Sequence, residues 1–156
     1  MIAVIQRITS ASVVADGVPA GKAENGLFIL LGVKSGDTED ICLRMADKIA
    51  KMRIFEDEAG KMNLSVTDIG GQILLVSNFT LCAACRKGNR PDFFDAEKPD
   101  AANALYERFA ERMRENGIHT ETGVFGADMN ISAALCGPVT IILDSEKDLP
   151  GARVGG

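Results

Sequence analysis

The stretch Leu27-Phe28-Ile29-Leu30-Leu31-Gly32-Val33 decides the reading of the fold. It is apolar without alternation, bounded by Gly26 and by the turn sequence Ser35-Gly36-Asp37. A short run of that kind reads as a strand covered on both faces. A transmembrane helix needs roughly 18 apolar residues, so this run is far too short to be one. A second run, Ile73 to Phe79, follows the Gly70-Gly71 turn and reads as another buried strand. Between the two, Asp37 is placed to cap a helix. Ile41, Met45, Ile49 and Met52 then recur at helical spacing and give that helix one apolar face for the core.

Outward from these elements, residues 2–8 and 12–15 are rich in strand formers. Asp16-Gly17 is a tight-turn pair from which Val18 to Gly21 returns. Arg53 to Phe55 fits a short strand, and Glu56-Asp57-Glu58-Ala59-Gly60 reads as a solvated acidic turn rather than a metal site. A second helix is predicted from Pro99 to Asn116, ended by Gly117, with Leu105, Phe109 and Met113 on one face. Three further strands are predicted, at 119–124, 129–134 and 139–144. The chain reads as a single α/β domain over residues 1–145 with two principal helices. Residues 146–156 read as a flexible C-terminal tail.

Composition narrows the function classes. The 156 residues are 46% hydrophobic and 25% charged, with a net charge of −5 and a pI near 4.9. A general nucleic-acid coat needs a broad cationic surface, which this chain does not have; one small cationic patch is still compatible with an enzyme. A globule this size has a radius of gyration of about 15 Å. A deep pocket is hard to build in it, which favours a shallow site or one completed by a second subunit. Met1 to Arg7 reads as a strand rather than an export signal. The four cysteines, Cys42, Cys82, Cys85 and Cys136, are therefore expected as reduced thiols in a cytoplasmic protein. The single histidine, His119, argues against histidine-based metal sites and catalytic triads.

Chemistry concentrates between Ser77 and Pro91, SNFTLCAACRKGNRP, which leaves a buried strand and enters a polar loop. Strand ends are where α/β proteins commonly place their sites. Arg86, Lys87 and Arg90 form a local patch of +3, suited to phosphate; a solvated loop is the plainer account of three charges alone. Cys82-Ala83-Ala84-Cys85 permits a redox pair or half a zinc site, and buried or incidental thiols are the plainer account of it. Gly137-Pro138 reads as a turn into a strand, and Thr122 to Met129 as a glycine-rich loop without phosphate-loop spacing.

Taken in order, six motifs say more than any one of them: Gln6-Arg7-Ile8, RIFEDEAGKMNLS at 53–65, SNFTL at 77–81, RKGNRP at 86–91, ETGVFGADM at 121–129 and GPVT at 137–140. This pattern, over about residues 1–145, resembles the D-aminoacyl-tRNA deacylases. The resemblance implies a barrel-like β core with helices in three layers, assembled as a homodimer. It implies hydrolysis of the ester joining a D-amino acid to the terminal adenosine of tRNA, with L-aminoacyl-tRNA spared and glycyl-tRNA open to attack. The matching Gly137-Pro138, with a cis peptide, would reach from one subunit into the site of the other. Its carbonyls would hold the substrate amine and exclude an L side chain.

Ser77, Asn78, Phe79 and Thr80 match the pocket floor. An aminoacyl ester is already activated, and the neighbouring ribose 2′-OH can assist water. Backbone N–H groups at Phe79 and Thr80 would then suffice for the oxyanion, one donor being worth about 2.7–4 kcal/mol. No cofactor, metal or membrane is called for, and the partner is the aminoacylated 3′ end of tRNA. Thr80 as a covalent nucleophile is the rival mechanism. Three departures stand out: Asn78 where the family has Gln, Leu135 where it has Asn, and Cys82-Ala83-Ala84 where it has Tyr-Ala-Asp. Two rival functions follow, a tRNA-end binding module without turnover and a thiol-redox or zinc protein built on Cys82 and Cys85.

Overall fold

The computed structural model describes residues 1–86 and 88–151. Its strands are β1 Ile2–Ala15, β2 Val18–Ala23, β3 Gly26–Gly32, β4 Phe55–Glu56, β5 Met62–Leu64, β6 Gln72–Ser77, β7 His119–Thr122 and β8 Met129–Asp144. The α-helices are α1 Glu39–Ala50, α2 Pro99–Glu115 and the short α3 Ser145–Asp148. β3 lies between antiparallel β1 and parallel β6, and β6 pairs in parallel with β7. β1 is long enough to serve two neighbours on one edge, β3 through Ile2–Ile8 and β2 through Ala11–Ala15. β2 thereby returns beside β7, where the Lys22 amide donates to the Glu121 carboxylate at 2.7 Å. The sheet curls into a nearly closed barrel.

Both faces of the central strands are buried, as the unbroken apolar runs require. Leu27, Ile29 and Leu31 of β3 and Ile73 and Leu75 of β6 face the two long helices. Phe28 and Leu30, with Leu74 and Val76, point into the barrel against Ile8, Ala11 and Val13. Helices, near barrel wall and far barrel wall make three layers. α1 sets Ile41, Met45 and Ile49 on the outer face, and α2 adds Tyr106, Phe109 and Met113. The side chain of Asp47 on α1 accepts a two-pronged bond from Arg112 on α2, at 2.8 and 2.9 Å. Asn116 donates to the same carboxylate at 2.9 Å.

Several boundaries differ from the sequence expectations. Residues 2–8 and 12–15 are one strand, because the pairing of β1 with β8 slips around Arg7 and Thr9 and turns Ala11 and Val13 inward. The slip breaks the alternation, so the sequence pattern looks interrupted. Likewise 129–134 and 139–144 are both parts of β8, which bulges between them. The cap of α1 is Thr38, whose hydroxyl accepts from the Ile41 amide at 3.3 Å. Asp37 is buried and accepts instead from the Met1 ammonium and the Lys34 amide, both at 2.7 Å. Of the short strand expected at 53–55, only Phe55 is in β4, which pairs with β5. In the expected tail, α3 packs against the start of β1: Ser145 accepts from the Met1 ammonium at 2.8 Å and Leu149 is buried. Residues 152–156 of that tail lie outside the described residues.

The Asp47 clamp generates a pH signature. Hydrogen bonding to Arg112 holds the Asp47 carboxyl below the ordinary value of 3.8. A carboxyl lowered by folding stabilises the native state above its unfolded value, and that contribution is lost as pH falls through its folded value. Asp47→Asn should therefore lower the urea midpoint at pH 7, and the wild-type and mutant curves should converge in acid. Parallel curves down to the lowest pH would assign no such linkage to Asp47.

Candidate active site

The parallel pair β3 and β6 ends at Gly32 and Ser77, and the chain turns sharply there. The Asn78 amide still donates to the Leu31 carbonyl at 2.9 Å, extending the ladder by one bond. Phe79–Cys82 then form a single 3-10 turn capped by Asn78. The Asn78 side-chain oxygen accepts from the Thr80 amide at 3.2 Å and also from the Thr80 hydroxyl. Gly32 lets this turn lie directly on β3, since a Cβ there would stand 3.0 Å from the Asn78 carbonyl oxygen and from Leu81 Cβ.

Against this turn opens a cavity of about 610 Å³, floored by Ser77, Asn78 and Phe79 and walled by Phe93, Phe125 and Met129. Phe93 meets Phe79 edge-on with ring centroids 5.1 Å apart. Phe125 rests beside Tyr106 of α2 at 6.0 Å, and the Tyr106 hydroxyl is itself fixed to the Leu75 carbonyl at 2.8 Å. Burial pushes the Tyr106 hydroxyl pKa well above its usual value, so Tyr106 is a neutral strut. The cavity is mostly apolar, with the Asn78-capped turn at its floor. It suits a flat aromatic group beside a reacting carbonyl.

Ser77, Asn78 and Phe79 thus come together, with the exposed Thr80 bonded at their edge. Gly137 and Pro138 do not line their own chain's cavity. They sit in the β8 bulge, where Cys136 to Val139 stand opposite Arg7 alone, and the peptide between them is cis. Gly137 has φ +120°, and a Cβ on it would lie 3.0 Å from Arg7 Nη2. Arg7 is buried, donates through Nη1 to the Ile54 carbonyl at 3.0 Å, and reaches Glu56 at 3.9 Å. Arg86 and Arg90 are exposed on the loop between Ala84 and Asp92, which pair as an isolated antiparallel bridge. Lys87 lies outside the described residues.

The thiol reading loses its physical basis. Cys82 is buried in the 3-10 turn with its sulfur 3.5 Å from the Val33 carbonyl oxygen, while Cys85 is exposed. Burial raises the Cys82 pKa, the reverse of what a reactive thiol needs. Cys42 is pushed up to about 12 by burial. His119 pairs in register with Gln72, five residues before Ser77, and so stands about 16 Å from the cavity floor along the strand. Sequence reading missed Phe93, Phe125, Met129 and Arg7 as parts of the site. Three of the four lie inside motifs that were visible, but no local pattern distinguishes a cavity wall from a core residue.

Comparison with known proteins agrees with the geometry. A family model described as D-Tyr-tRNA(Tyr) deacylase matches residues 4–144. A D-aminoacyl-tRNA deacylase of Thermotoga petrophila is 51% identical, over 94% of this chain and 99% of that protein. One of Geobacter metallireducens is 53% identical, over 97% and 100%. Among solved structures, a c-Myc DNA unwinding element binding protein is 40% identical with a TM-score of 0.85, over 92% of this chain and 98% of that one. A probable eukaryotic D-amino acid tRNA deacylase shares the fold at 16% identity, with a TM-score of 0.81 over 91% and 97%. With the match spanning nearly the whole domain, the chain belongs to the D-Tyr-tRNA(Tyr) deacylase family.

Proposed function

We propose that this protein hydrolyses the ester of D-aminoacyl-tRNA in the cavity above Ser77, Asn78 and Phe79, and does so as a homodimer. The observation that carries this reading is the cavity itself, floored by Ser77, Asn78 and Phe79 and walled by Phe93 and Phe125, in a chain of this family. The terminal adenosine enters between the aromatic walls and brings the ester carbonyl to the turn. Water, assisted by the ribose 2′-OH, adds to the carbonyl carbon. Negative charge develops on the carbonyl oxygen beside the Phe79 and Thr80 amides. The C–O bond to the ribose then breaks, the ribose oxygen takes a proton, and the free amino acid departs. In the resting protein the Thr80 amide is bonded to the Asn78 side chain, so the substrate oxygen takes over the place of Asn78 Oδ1. The exchange trades the Asn78 cap bond for a bond to the substrate oxygen.

Chirality is assigned to Gly137 and Pro138 of a second subunit, entering the first subunit's cavity and leaving no room for an L side chain. The open flank of β8 supports such an assembly. Among the described residues β8 pairs with β1 alone, residues 130–135 are exposed on both faces, and Leu135 and Ile142 are 50% and 66% exposed. A long unpartnered edge with apolar side chains is a surface that proteins normally cover. Glycine has no side chain to exclude, and glycyl-tRNA is a second substrate on this reading. Arg86, Lys87 and Arg90 serve as phosphate contacts for the incoming strand.

The mechanism is tested with D-Tyr, L-Tyr and Gly esters on cognate tRNA. Thr80→Ala keeps the amide and should retain at least about a tenth of wild-type turnover, a barrier change of no more than ~1.4 kcal/mol. Loss of several orders of magnitude in a folded Thr80→Ala protein would make Thr80 the nucleophile. Equal wild-type rates on D-Tyr and L-Tyr would remove the chiral assignment. tRNA binding with no turnover would make the protein a 3′-end binding module.

The assembly is tested by Ile142→Glu, which should shift sedimentation from dimer to monomer and abolish hydrolysis together. A wild-type monomer with full activity would exclude a shared site. Neutralising Arg86, Lys87 and Arg90 together should weaken tRNA binding and reduce the salt slope by up to about 0.9 per lost duplex contact. An unchanged slope would place the RNA path elsewhere.

A further inference from the structure

Phe94 is 89% exposed, the most exposed large apolar side chain among the described residues. An isolated exposed apolar residue is ordinary, but the setting of this one is not. Phe93, its immediate neighbour, walls the cavity and packs edge-on against Phe79. The Ala96 amide donates to the Phe93 carbonyl at 3.1 Å, so residues 93–96 form a turn that projects Phe94 beyond the cavity rim. Four of the seven phenylalanines of the chain therefore gather here: Phe79, Phe93 and Phe125 around the cavity and Phe94 outside it. Arg86 and Arg90 are exposed on the loop that leads into the same turn through the Ala84–Asp92 bridge.

Nearby acids are partly engaged with backbone: Asp92 faces the Phe94 amide at 3.5 Å, and Glu97 accepts from the Gly36 and Lys98 amides. An exposed ring and exposed arginines on one stretch of chain are the groups by which proteins hold single-stranded nucleic acid, the ring stacking a base and the cations following the backbone.

We propose that Phe94 is a stacking platform for the base immediately 5′ of the terminal adenosine, outside the cavity that the adenosine occupies. This rests on the deacylase reading for the strand's direction and adds a contact that holds the unpaired end before chemistry. Stacking is tolerant of base identity, so Phe94 contributes affinity without selecting among tRNAs.

The chain has no tryptophan, so Phe94→Trp installs the only tryptophan, at the platform, and it can be excited apart from Tyr106. The trinucleotide CCA should quench it, and adenosine alone should not. No quenching by CCA, or equal quenching by adenosine, would overturn the assignment. Kinetics supply the second arm. Phe94→Ala should raise KM for D-aminoacyl-tRNA about five- to twentyfold with kcat unchanged, in the lower part of the range for one stacked base. KM for 3′-D-aminoacyl-adenosine, which lacks the upstream base, should not move, and Phe94→Trp should restore KM for tRNA.

An equal KM rise on both substrates, or none on tRNA, would sink the proposal. Conversion of the Phe94→Ala protein to monomer would also overturn it and give the ring to a second copy of this chain. Failure of the wild type on both substrates would remove the deacylase reading instead, and CCA quenching would still judge the platform.

Discussion

Leu27 to Leu31 and Ile73 to Val76 lie side by side in β3 and β6 with apolar side chains on both faces, so neither face can meet water. Burying a single such side chain is worth about 1.5–3 kcal/mol. One face is closed by α1 and α2, whose stripes of Ile41, Met45, Ile49, Phe109 and Met113 form the outer core. The other can be closed only by the sheet itself, which curls until β2 stands beside β7. Barrel, helical layer and site all follow from covering this one parallel pair twice.

That solution locates the chemistry. A parallel pair delivers both strand ends to the same rim, and here the rim holds the Gly32 approach, the Asn78-capped turn and the cavity wall from Phe93. On the proposed mechanism the oxyanion is stabilised by backbone amides, set by the turn rather than by a titrating side chain. The shorter Asn78 completes its cap within the turn, bonding both the amide and the hydroxyl of Thr80. On the opposite flank of β1, the Gly137–Pro138 bulge in β8 is underpinned by Arg7, a buried cation whose Nε has no partner among the described residues. Two irregularities mark this fold: the turn after β6 that floors the cavity and the bulge in β8.

Much of this was legible in the residues. The two apolar runs, the stripes at 41–49 and 105–113 and the Asp16-Gly17 turn are local patterns, and local patterns survive folding because periodicity records which face is buried. The order of six motifs was legible too, and carried the family. Illegible were the continuity of β1 and β8, the capping role of Thr38, the pairing of β4 with β5 and the docking of α3. All but the local β4–β5 hairpin depend on a partner distant in the chain: Arg7 opposite residues 136–139, Asp37 against Met1, Ser145 against Met1.

The sequence by itself determined the class of fold, the two helices, the buried strands and the family, because hydrophobic period and motif order are properties of neighbouring residues. Only the tertiary structure decided which aromatics wall the cavity, that Gly137 and Pro138 lie outside their own chain's pocket, that the Thr80 amide is held by Asn78, and that Phe94 stands in solvent beside the site. A phenylalanine reads the same in a core, a wall or a rim. Its place is set by what the rest of the chain brings against it.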